Sequence, residues 1–319
     1  MGVTATRGHM GRTDVSFGWS RDHEPALVIA SGSEVTVDIP ECSNGQVGPD
    51  ATVQHFVQID FSQIDPISGP IYVEGAQPGD VLQVEVLRLI PGGYGWSANY
   101  PGTGLLTEDF PDAWLYIWDL TTGTRTRYVR DIWVPVEPML GIVGCTPAAW
   151  GPHPAIPPLR TGGNMDCKYI REGTSVFLPV EVEGGLLGIG DPHAAQGDGE
   201  SGGSGIEAPM QATVRVSVRR DRSIAFPEMD VTRPLERPSA AAAGYYVTTG
   251  IGPDLYSAAQ DAMRSMVTRV VQAYGLDAIE AYGLCSVAAD LKISEIVNDP
   301  NYVVSAFLPR DLFTECERR

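Results

Sequence analysis

The sequence predicts a mainly β protein whose C-terminal part is α+β. Thirty-six glycines and twenty-five prolines divide the 319 residues into short segments, and most of these segments alternate apolar and polar residues with period two. Beyond about residue 250 the apolar residues recur with the spacing of an α-helix instead. The length also predicts two or three domains.

Four segments carry the strand prediction. They read "EVTVDIP" (34–40), "DVLQVEVLRL" (80–89), "SVFLPVEV" (175–182) and "ATVRVSVRR" (212–220), and each alternates as a half-buried antiparallel strand does. The apolar positions of the last three segments are Leu82, Val84, Val86, Val176, Leu178, Val180, Val182, Val214, Val216 and Val218. Pro78-Gly79-Asp80 supplies turn chemistry between two such runs.

The segment "DLYSAAQDAMRSMVTRVVQAYG" (254–275) predicts the first of two helices. Asp254 is placed to cap its start and Gly275 to end it. Its predicted apolar face contains Leu255, Ala259, Met263, Met266 and Val270. A second helix is predicted in "DAIEAYGLCSVAADL" (277–291), where Asp277 and Glu280 have the spacing of a capping box. Its apolar stripe contains Leu284, Ala288 and Leu291, and a short strand is predicted in "NYVVSAFLP" (301–309).

The charge balance excludes one class of partner. Forty acidic and twenty-two basic residues give a net charge of −18, and only Lys168 and Lys292 are lysines. A nucleic-acid-binding protein needs a basic surface, so no nucleic acid is expected as a partner. The negative field also disfavours anionic substrates and favours a neutral or cationic small molecule.

The chain is expected to be cytoplasmic, without membrane association. No uninterrupted apolar run approaches the ~18 residues of a membrane span, and no apolar segment follows the basic residues of the N-terminus. The cysteines are odd in number, scattered and without a CxxC pair, so they indicate neither a disulfide framework nor a zinc ribbon. They are Cys42, Cys145, Cys167, Cys285 and Cys316.

Two long stretches rich in glycine and proline are predicted to be loops. They span residues 91–106 and 146–166, and loops of this length are usually functional or disordered. Their aromatic residues favour ordered loops that cover something, either an apolar pocket or an interface between subunits. These aromatic residues are Tyr94, Trp96, Tyr100 and Trp150.

A polar stretch, "GDPHAAQGDGE" (190–200), contains the strongest candidate site. Asp191 and His193 stand two positions apart, so a bent loop can direct both side chains at one cation. An imidazole nitrogen with a carboxylate suits zinc, whereas carboxylates alone would suit calcium or magnesium. A turn with a solvated histidine explains the same spacing, and both readings stay open on this stretch alone.

Two further segments contain similar residues. "GGNMD" ends in Asp166 after two glycines and Asn164, and such glycines let the backbone approach a ligand closely. "ECSNGQ" places Glu41 at the end of an alternating strand. Three acidic segments of this kind favour convergence on one metal over three separate turns.

The same segments resemble the acetamidase/formamidase family. "DPISGPIYVEGAQPGDVLQVEV", "PPLRTGGNMDCKYI", "GDPHAAQGDGE", "CSVAADLKISEIVN" and "LPRDLF" occur in the order typical of that family, from about residue 17 onward. The resemblance implies an antiparallel β-sandwich or barrel body with a helical hairpin on a small sheet. It also implies homo-oligomers, hydrolysis of short amides with release of ammonia, and a bound divalent metal, with zinc expected and calcium as the alternative.

The resemblance also points to particular residues, namely Asp166, Asp191, His193, Asp198 and Glu200, and to Glu41 where the family often has aspartate. Amide chemistry predicts their roles: Asp166, Asp191, His193 and Glu41 hold the metal, and Glu200 carries a proton from water to the departing amine. Asp198 is expected to assist catalysis, either beside the ligands or as an alternative ligand. Asn164, Gln196, Trp96 and Trp150 are expected to bind the substrate. The expected domains are a β-sandwich at 1–140, a β-rich domain with the site loops at 141–240, and an α+β subdomain at 241–319. The chain departs from the family in "SFGWSRDHEP", which has no histidine before Trp19.

Three alternatives remain at this stage. Ser201 or Ser204 with Lys168 would form a serine amidase centre, and Cys167 with His153 or His193 would form a thiol centre. The third alternative is a non-enzymatic protein in which the acidic loops bind calcium and the β body serves binding or assembly.

Overall fold

The structure is a computed structural model that describes residues 7–232 and 243–316. Its strands are β1 (Arg7–Met10), β2 (Val15–Ser16), β3 (Leu27–Ala30), β4 (Ser33–Ile39), β5 (Ile67–Glu74), β6 (Val81–Pro91), β7 (Tyr94–Asn99), β8 (Trp114–Asp119), β9 (Arg125–Arg127), β10 (Trp133–Pro135), β11 (Met139–Cys145), β12 (Gly162–Asn164), β13 (Thr174–Pro179), β14 (Leu187–His193), β15 (Met210–Arg219), β16 (Glu228–Val231), β17 (Tyr245–Gly252), β18 (Asp290–Glu295) and β19 (Tyr302–Pro309). The helices are α1 (Val53–Phe56), α2 (Leu255–Tyr274) and α3 (Ala278–Ala288), with 3-10 turns at Phe61–Gln63, Val129–Asp131 and Arg310–Phe313.

Two six-stranded sheets form a sandwich. One has the order β1-β4-β15-β6-β13-β16, and the other has the order β12-β11-β14-β5-β2 with β3 also paired to β5. Only the β1–β4 and β3–β5 pairs in these sheets are parallel. Their facing sides share one apolar core, in which Val37 and Val84 of one sheet meet Ile71 and Leu187 of the other. The mainly β fold and the sandwich are therefore confirmed, and no sheet in the described ranges closes into a barrel.

Period-two alternation explains the strands of this sandwich. In β15, Met210, Ala212, Val214 and Val216 are buried, whereas Gln211 between them is exposed. In β4, Val35, Val37 and Ile39 are all fully buried. Since side chains alternate across a strand, each strand presents one apolar face to the opposite sheet.

Strands of the predicted domains 1–140 and 141–240 pair with each other. β6 lies between β13 and β15, and β5 pairs with β14, while β11 crosses residue 140. The division at residues 140 and 240 stays a prediction.

The C-terminal part is a helical hairpin on a three-stranded sheet, as predicted. The sheet has the order β17-β19-β18, and α2 and α3 share an apolar core with Ala306 and Leu308 of β19. The Asp254 side chain accepts a hydrogen bond from Ser257 N at 2.8 Å, and Gly275 ends α2 with φ 65°. The predicted face of α2 is buried at Met263, Met266 and Val270, whereas Leu255 and Ala259 are half-buried and the neighbouring Ala258 and Ala262 are fully buried.

Two boundaries differ from the sequence prediction. Helix α3 ends at Ala288, so Leu291 belongs to β18 and not to the helix. The first predicted loop contains β7, which pairs with β8. Alternation does not reveal β7 because Gly95, Trp96, Ser97, Ala98 and Asn99 are all buried and one face therefore cannot be told from the other by polarity.

The C-terminal core also holds the end of β14 in place. Ala194 and Ala195, directly after β14, belong to the apolar cluster that contains α2 and α3. Within residues 7–232 and 243–316, no helix has the length and hydropathy that a membrane span requires.

Candidate active site

A cavity of about 660 Å³ lies beside the end of β14. It is bordered by the segment after β4, the segment before β5, the loop after β12 and the loop that joins β14 to β15. Five carboxylates line it, namely Asp65, Asp166, Asp191, Glu200 and Glu207. The remaining wall is mainly apolar. Segments far apart in the sequence therefore converge on one pocket.

His193 lies at the centre of the carboxylates and is fully buried. Its Nδ1 is 2.7 Å from Gln196 Oε1, and Gln196 Nε2 donates a hydrogen bond to the main-chain oxygen of Asp166 at 2.6 Å. A carbonyl oxygen only accepts hydrogen bonds, so the proton of the neutral imidazole resides on Nδ1. Nε2 is then left with a free lone pair on the side of the ring where Asp191, Glu200 and Glu207 lie.

Three carboxylates surround this Nε2 atom. It lies 3.0 Å from Glu207 Oε2, 3.2 Å from Asp191 Oδ1 and 4.0 Å from Glu200 Oε1. Burial lowers the pKa of His193, but the charges of Glu207 and Asp191 outweigh that effect and hold the pKa well above its usual range. A positive charge at this position, either a proton or a metal ion, is therefore strongly favoured.

The carboxyl groups themselves resist ionisation. Burial, followed by the charge of Asp191, raises the pKa of Asp65 to about 8 and that of Asp166 to about 7. Burial and the charge of Asp166 raise the pKa of Glu200 well above its ordinary value. Charged groups crowded in a buried space need a compensating cation, because isolated buried charges are very costly.

Backbone strain marks the same residues. Asp65, Asp166, Asp191 and Glu200 have φ angles of 49°, 43°, 47° and 41°, in the left-handed region that side chains larger than glycine rarely adopt. Such strain, at about 1–3 kcal/mol per residue, persists where the surrounding structure fixes it and often marks functional sites. Gly141 adds a steric requirement, since a Cβ there would lie 2.5 Å from Asp191 Oδ2 and 2.6 Å from Asp166 Oδ1.

The donor atoms at the pocket can hold a metal ion. Three sets have ligand atoms within 4.8 Å of one another, namely Asp166–Asp191–His193, His193–Glu200–Glu207 and Cys42–Asp191–Glu207. Asp166 Oδ1 and Glu207 Oε2 are buried, and neither receives a hydrogen bond of good geometry from the described part of the chain. Buried oxygens without a donor, grouped around an imidazole nitrogen, are the arrangement a cation requires.

Glu41, expected as a fourth ligand, uses its carboxylate for hydrogen bonds. Oε1 accepts from Ser43 Oγ at 2.7 Å and Gly45 N at 2.6 Å, and Oε2 accepts from Ser43 N at 2.7 Å and Trp96 Nε1 at 2.9 Å. Glu41 is not among the residues that line the cavity, whereas the ring of Trp96 is. These contacts fix the turn after β4 and the orientation of the Trp96 ring.

Asp198 and Glu200, both expected to handle protons, lie in different surroundings. Glu200 lines the cavity, whereas Asp198 pairs with buried Lys168, with Oδ2 3.2 Å from Nζ. Lys168 also forms an ion pair with Asp290 at the start of β18. Asp198 therefore links the site loop to the C-terminal sheet.

The residues expected to bind substrate are also dispersed. Asn164 lines the cavity, and its buried side-chain oxygen receives no hydrogen bond from the residues described. Gln196 lies behind His193, where it holds the ring and the Asp166 main chain. Trp150 is 75% exposed, and the guanidinium of Arg21 lies 4.0 Å from its ring centroid.

Sequence reasoning missed Cys42, Asp65 and Glu207. Asp65 begins "DPISGP", a segment that contributes to the family resemblance and that local spacing does not link to the other acidic residues. Glu207 is the one acidic residue in the apolar run "GIEAPM". In the structure it is only 2% exposed. A lone carboxylate among core residues is a usable signal, since such groups are almost never buried without a partner.

The serine and cysteine centres find no support in the contacts. Ser204 Oγ exchanges hydrogen bonds with the main chain of Ala98, and Lys168 forms ion pairs with Asp198 and Asp290. Cys167 Sγ contacts Met229 Sδ at 3.9 Å and is absent from the cavity wall. Burial raises the pKa of the Cys167 thiol, which disfavours the thiolate that a nucleophile requires.

Comparison with known proteins identifies the family of the chain. The sequence profile of the Acetamidase/Formamidase family matches residues 9–152 and 152–315. A formamidase from Methylophilus methylotrophus is 25% identical over 92% of this chain and 88% of its own. The crystal structure of an acetamidase from Bacillus halodurans is 31% identical, with a TM-score of 0.68 over 97% of this chain and 99% of its own. A gamma lactamase from Delftia acidovorans, at 24% identity, shares the fold with a TM-score of 0.88 over 95% of this chain and 90% of its own. The chain belongs to the acetamidase/formamidase family.

Proposed function

We propose that the pocket around His193 hydrolyses linear amides with the assistance of a divalent metal and releases ammonia. Membership of the family makes the chain an amidohydrolase that acts on carbon–nitrogen bonds other than peptide bonds. The observation that supports this proposal is that His193 Nε2 lies within 4.0 Å of Asp191, Glu200 and Glu207, three carboxylates that line a cavity of about 660 Å³.

Asp166, Asp191 and His193 are the proposed ligands. Their donor atoms lie within 4.8 Å of one another, and Gln196 directs the lone pair of His193 Nε2 toward them. A nitrogen donor with two carboxylates suits zinc better than calcium, which prefers oxygen ligands alone. Zinc is therefore the proposed metal. A bound divalent metal would polarise the amide carbonyl and lower the pKa of a water molecule.

Glu200 is the proposed proton carrier. A water molecule must lose a proton as it attacks the carbonyl carbon, and the amide nitrogen must gain one before the carbon–nitrogen bond breaks. Burial raises the pKa of Glu200, so this carboxyl can accept the first proton and return it to the nitrogen. The products are a carboxylic acid and ammonia, and Glu200 ends in its starting state.

Asn164 and Trp96 are the proposed substrate contacts that line the cavity. A carboxamide carries both a donor and an acceptor, so Asn164 can pair with a substrate amide. The Trp96 ring, fixed by Glu41, offers an apolar surface to the acyl group. Gln196 would act on the substrate only through His193, and Trp150 only from outside the cavity.

The Glu200→Gln variant tests this assignment. We expect it to bind metal as the parent does and to lose ammonia release by roughly 10²-fold or more, the range typical of a general acid–base group. Glu108→Gln, the same change at an exposed position, is the matched control. Full turnover by Glu200→Gln on every amide that the parent accepts would remove Glu200 from the mechanism. A parent that binds metal but turns over no amide in a panel from formamide to aryl amides would favour the calcium-binding alternative.

A cytoplasmic location and a homo-oligomeric state also stay predictions. Cys42, Cys145, Cys167 and Cys285 are free thiols, which is typical of a reducing compartment. Light scattering of the purified protein would give the oligomeric state directly.

A further inference from the structure

The cavity is lined by two unlike sets of residues, which are named here its acidic half and its apolar half. Its acidic half contains the carboxylates around His193. Its apolar half is built by the segment 56–64, by β7 and the residues after it, and by the loop between β11 and β12. The apolar half consists of Phe56, Ile59, Phe61, Ile64, Trp96, Ala98, Tyr100, Ile156 and Pro158. A substrate that reaches both halves must carry an apolar group beside its amide.

The aromatic residues of the apolar half hold one another in place. The ring centroids of Phe56 and Trp96 are 5.7 Å apart, those of Phe56 and Tyr100 are 5.9 Å apart, and those of Phe61 and Tyr100 are 4.6 Å apart. The hydrogen bond from Trp96 Nε1 to Glu41 satisfies the indole and keeps its ring in the wall. A preformed apolar wall binds a ligand without the entropic cost of ordering side chains.

Three residues of this wall are exposed, and two of them are large. Phe61 is 45% exposed and Ile156 is 54% exposed, although both line the cavity, and Pro158 is exposed beside them. They come from segments nearly one hundred residues apart, so their position at one pocket reflects the fold and not local sequence. Exposed apolar residues at the border of a cavity often mark ligand contacts.

The volume of the cavity and the charge of its lining limit which substrates can bind. A cavity of about 660 Å³ falls in the range of pockets for drug-sized molecules, and acetamide would fill only a small part of it. The acidic half and the net charge of −18 disfavour a carboxylate on the acyl group. Among the described residues that line the cavity, none is a lysine or an arginine.

We infer that the preferred substrate is a neutral primary amide whose acyl group is apolar and about the size of a phenyl ring. This inference rests on the proposed amide hydrolysis and adds the class of the acyl group. The amide reaches the acidic half at His193, and the ring packs against Phe61, Tyr100 and Ile156. The wall acts on specificity and takes no part in proton transfer.

The test compares kcat/KM for acetamide, 2-phenylacetamide and 4-(carboxymethyl)phenylacetamide. We expect 2-phenylacetamide to exceed acetamide by roughly tenfold to a hundredfold, the ratio that burial of one phenyl-sized group gives. The added carboxylate is expected to remove most of that advantage. Acetamide hydrolysed as well as or better than 2-phenylacetamide would overturn the inference and leave the proposed function intact. Ammonia release from none of the amides would instead overturn the proposed function.

Substitutions in the apolar half test whether it contacts the phenyl ring of the substrate. Phe61→Ala and Ile156→Ala should each lower the ratio of kcat/KM for 2-phenylacetamide to that for acetamide by roughly three- to tenfold, since each removes part of the apolar contact. Phe226→Ala is the matched control, because Phe226 is 65% exposed and does not line the cavity. If Phe61→Ala and Ile156→Ala both keep the parental ratio of the two kcat/KM values, the phenyl ring binds elsewhere. That result would overturn the inference.

Discussion

Replacement of Lys168 by methionine is expected to lower the thermal unfolding midpoint because it leaves two acidic groups without their cation. Lys168 is 4% exposed, and its Nζ lies 3.2 Å from Asp198 Oδ2 and forms a second ion pair with Asp290. Asp198 N also donates a hydrogen bond to Asp290 Oδ1 at 3.2 Å. Lys168 therefore joins the loop after β12, the loop after β14 and the start of β18.

The magnitude follows from burial. Removal of one partner from a buried ion pair costs about 3–5 kcal/mol, and the 27% exposure of the Asp198 side chain places Lys168 in the lower part of that range. A chain of 319 residues unfolds with an entropy of roughly 0.7 kcal/mol per kelvin. The Lys168→Met midpoint is therefore expected to fall by roughly 4–6 °C.

Thermal unfolding followed by circular dichroism measures this shift. Lys292→Met is the matched control, because Lys292 is the other lysine, is exposed, and has its Nζ 4.8 Å from the ring centroid of Phe307. The control should shift by about 1 °C or less, as exposed substitutions usually do. The double variant Lys168→Met/Asp290→Asn should recover part of the loss, since it removes one of the two carboxylate charges that Lys168 balances. A Lys168→Met midpoint equal to that of Lys292→Met would refute the reasoning.

Two other substitutions separate structural from metal-binding roles. Glu41→Gln replaces one acceptor oxygen by an NH₂ group, so two donors including Trp96 Nε1 lose their partner and stability should fall by about 2–4 kcal/mol. Its metal content should match the parent in elemental analysis, and loss of metal without loss of stability would show that Glu41 is a ligand. Gly141→Ala places a Cβ where Asp191 Oδ2 and Asp166 Oδ1 lie, so bound metal and ammonia release should both fall by roughly tenfold or more. Parental values of both in a folded Gly141→Ala protein would contradict the proposed ligand set.

Local patterns in the sequence were sufficient for much of the fold. The alternation in β15 identified Val214 and Val216 as buried, and Asp254 and Gly275 marked the ends of α2 correctly. These features depend on neighbours within a few residues, which period and capping chemistry describe. β7 escaped prediction because tertiary packing buries both of its faces.

The site was predictable only in part, for a physical reason. Asp191 and His193 are close in sequence, so their spacing alone suggested a shared target. Asp65 and Glu207 reach the same pocket through the pairing of β5 with β14 and through the return of the chain after residue 200. Such convergence depends on sheet packing, which no local pattern encodes. Glu41 lies in a segment whose composition suggests a ligand, yet its carboxylate accepts hydrogen bonds from Ser43 N and Trp96 Nε1. No local pattern reveals these two contacts.

We propose that amide hydrolysis at the pocket beside His193 depends on a bound divalent metal. The most direct measurement is ammonia release from one chain preparation before chelation, after chelation and after zinc is restored, with metal content determined at each stage. We expect the rate to fall by roughly tenfold or more with the loss of metal and to return with zinc. A metal-free protein that keeps the full rate would contradict the claim.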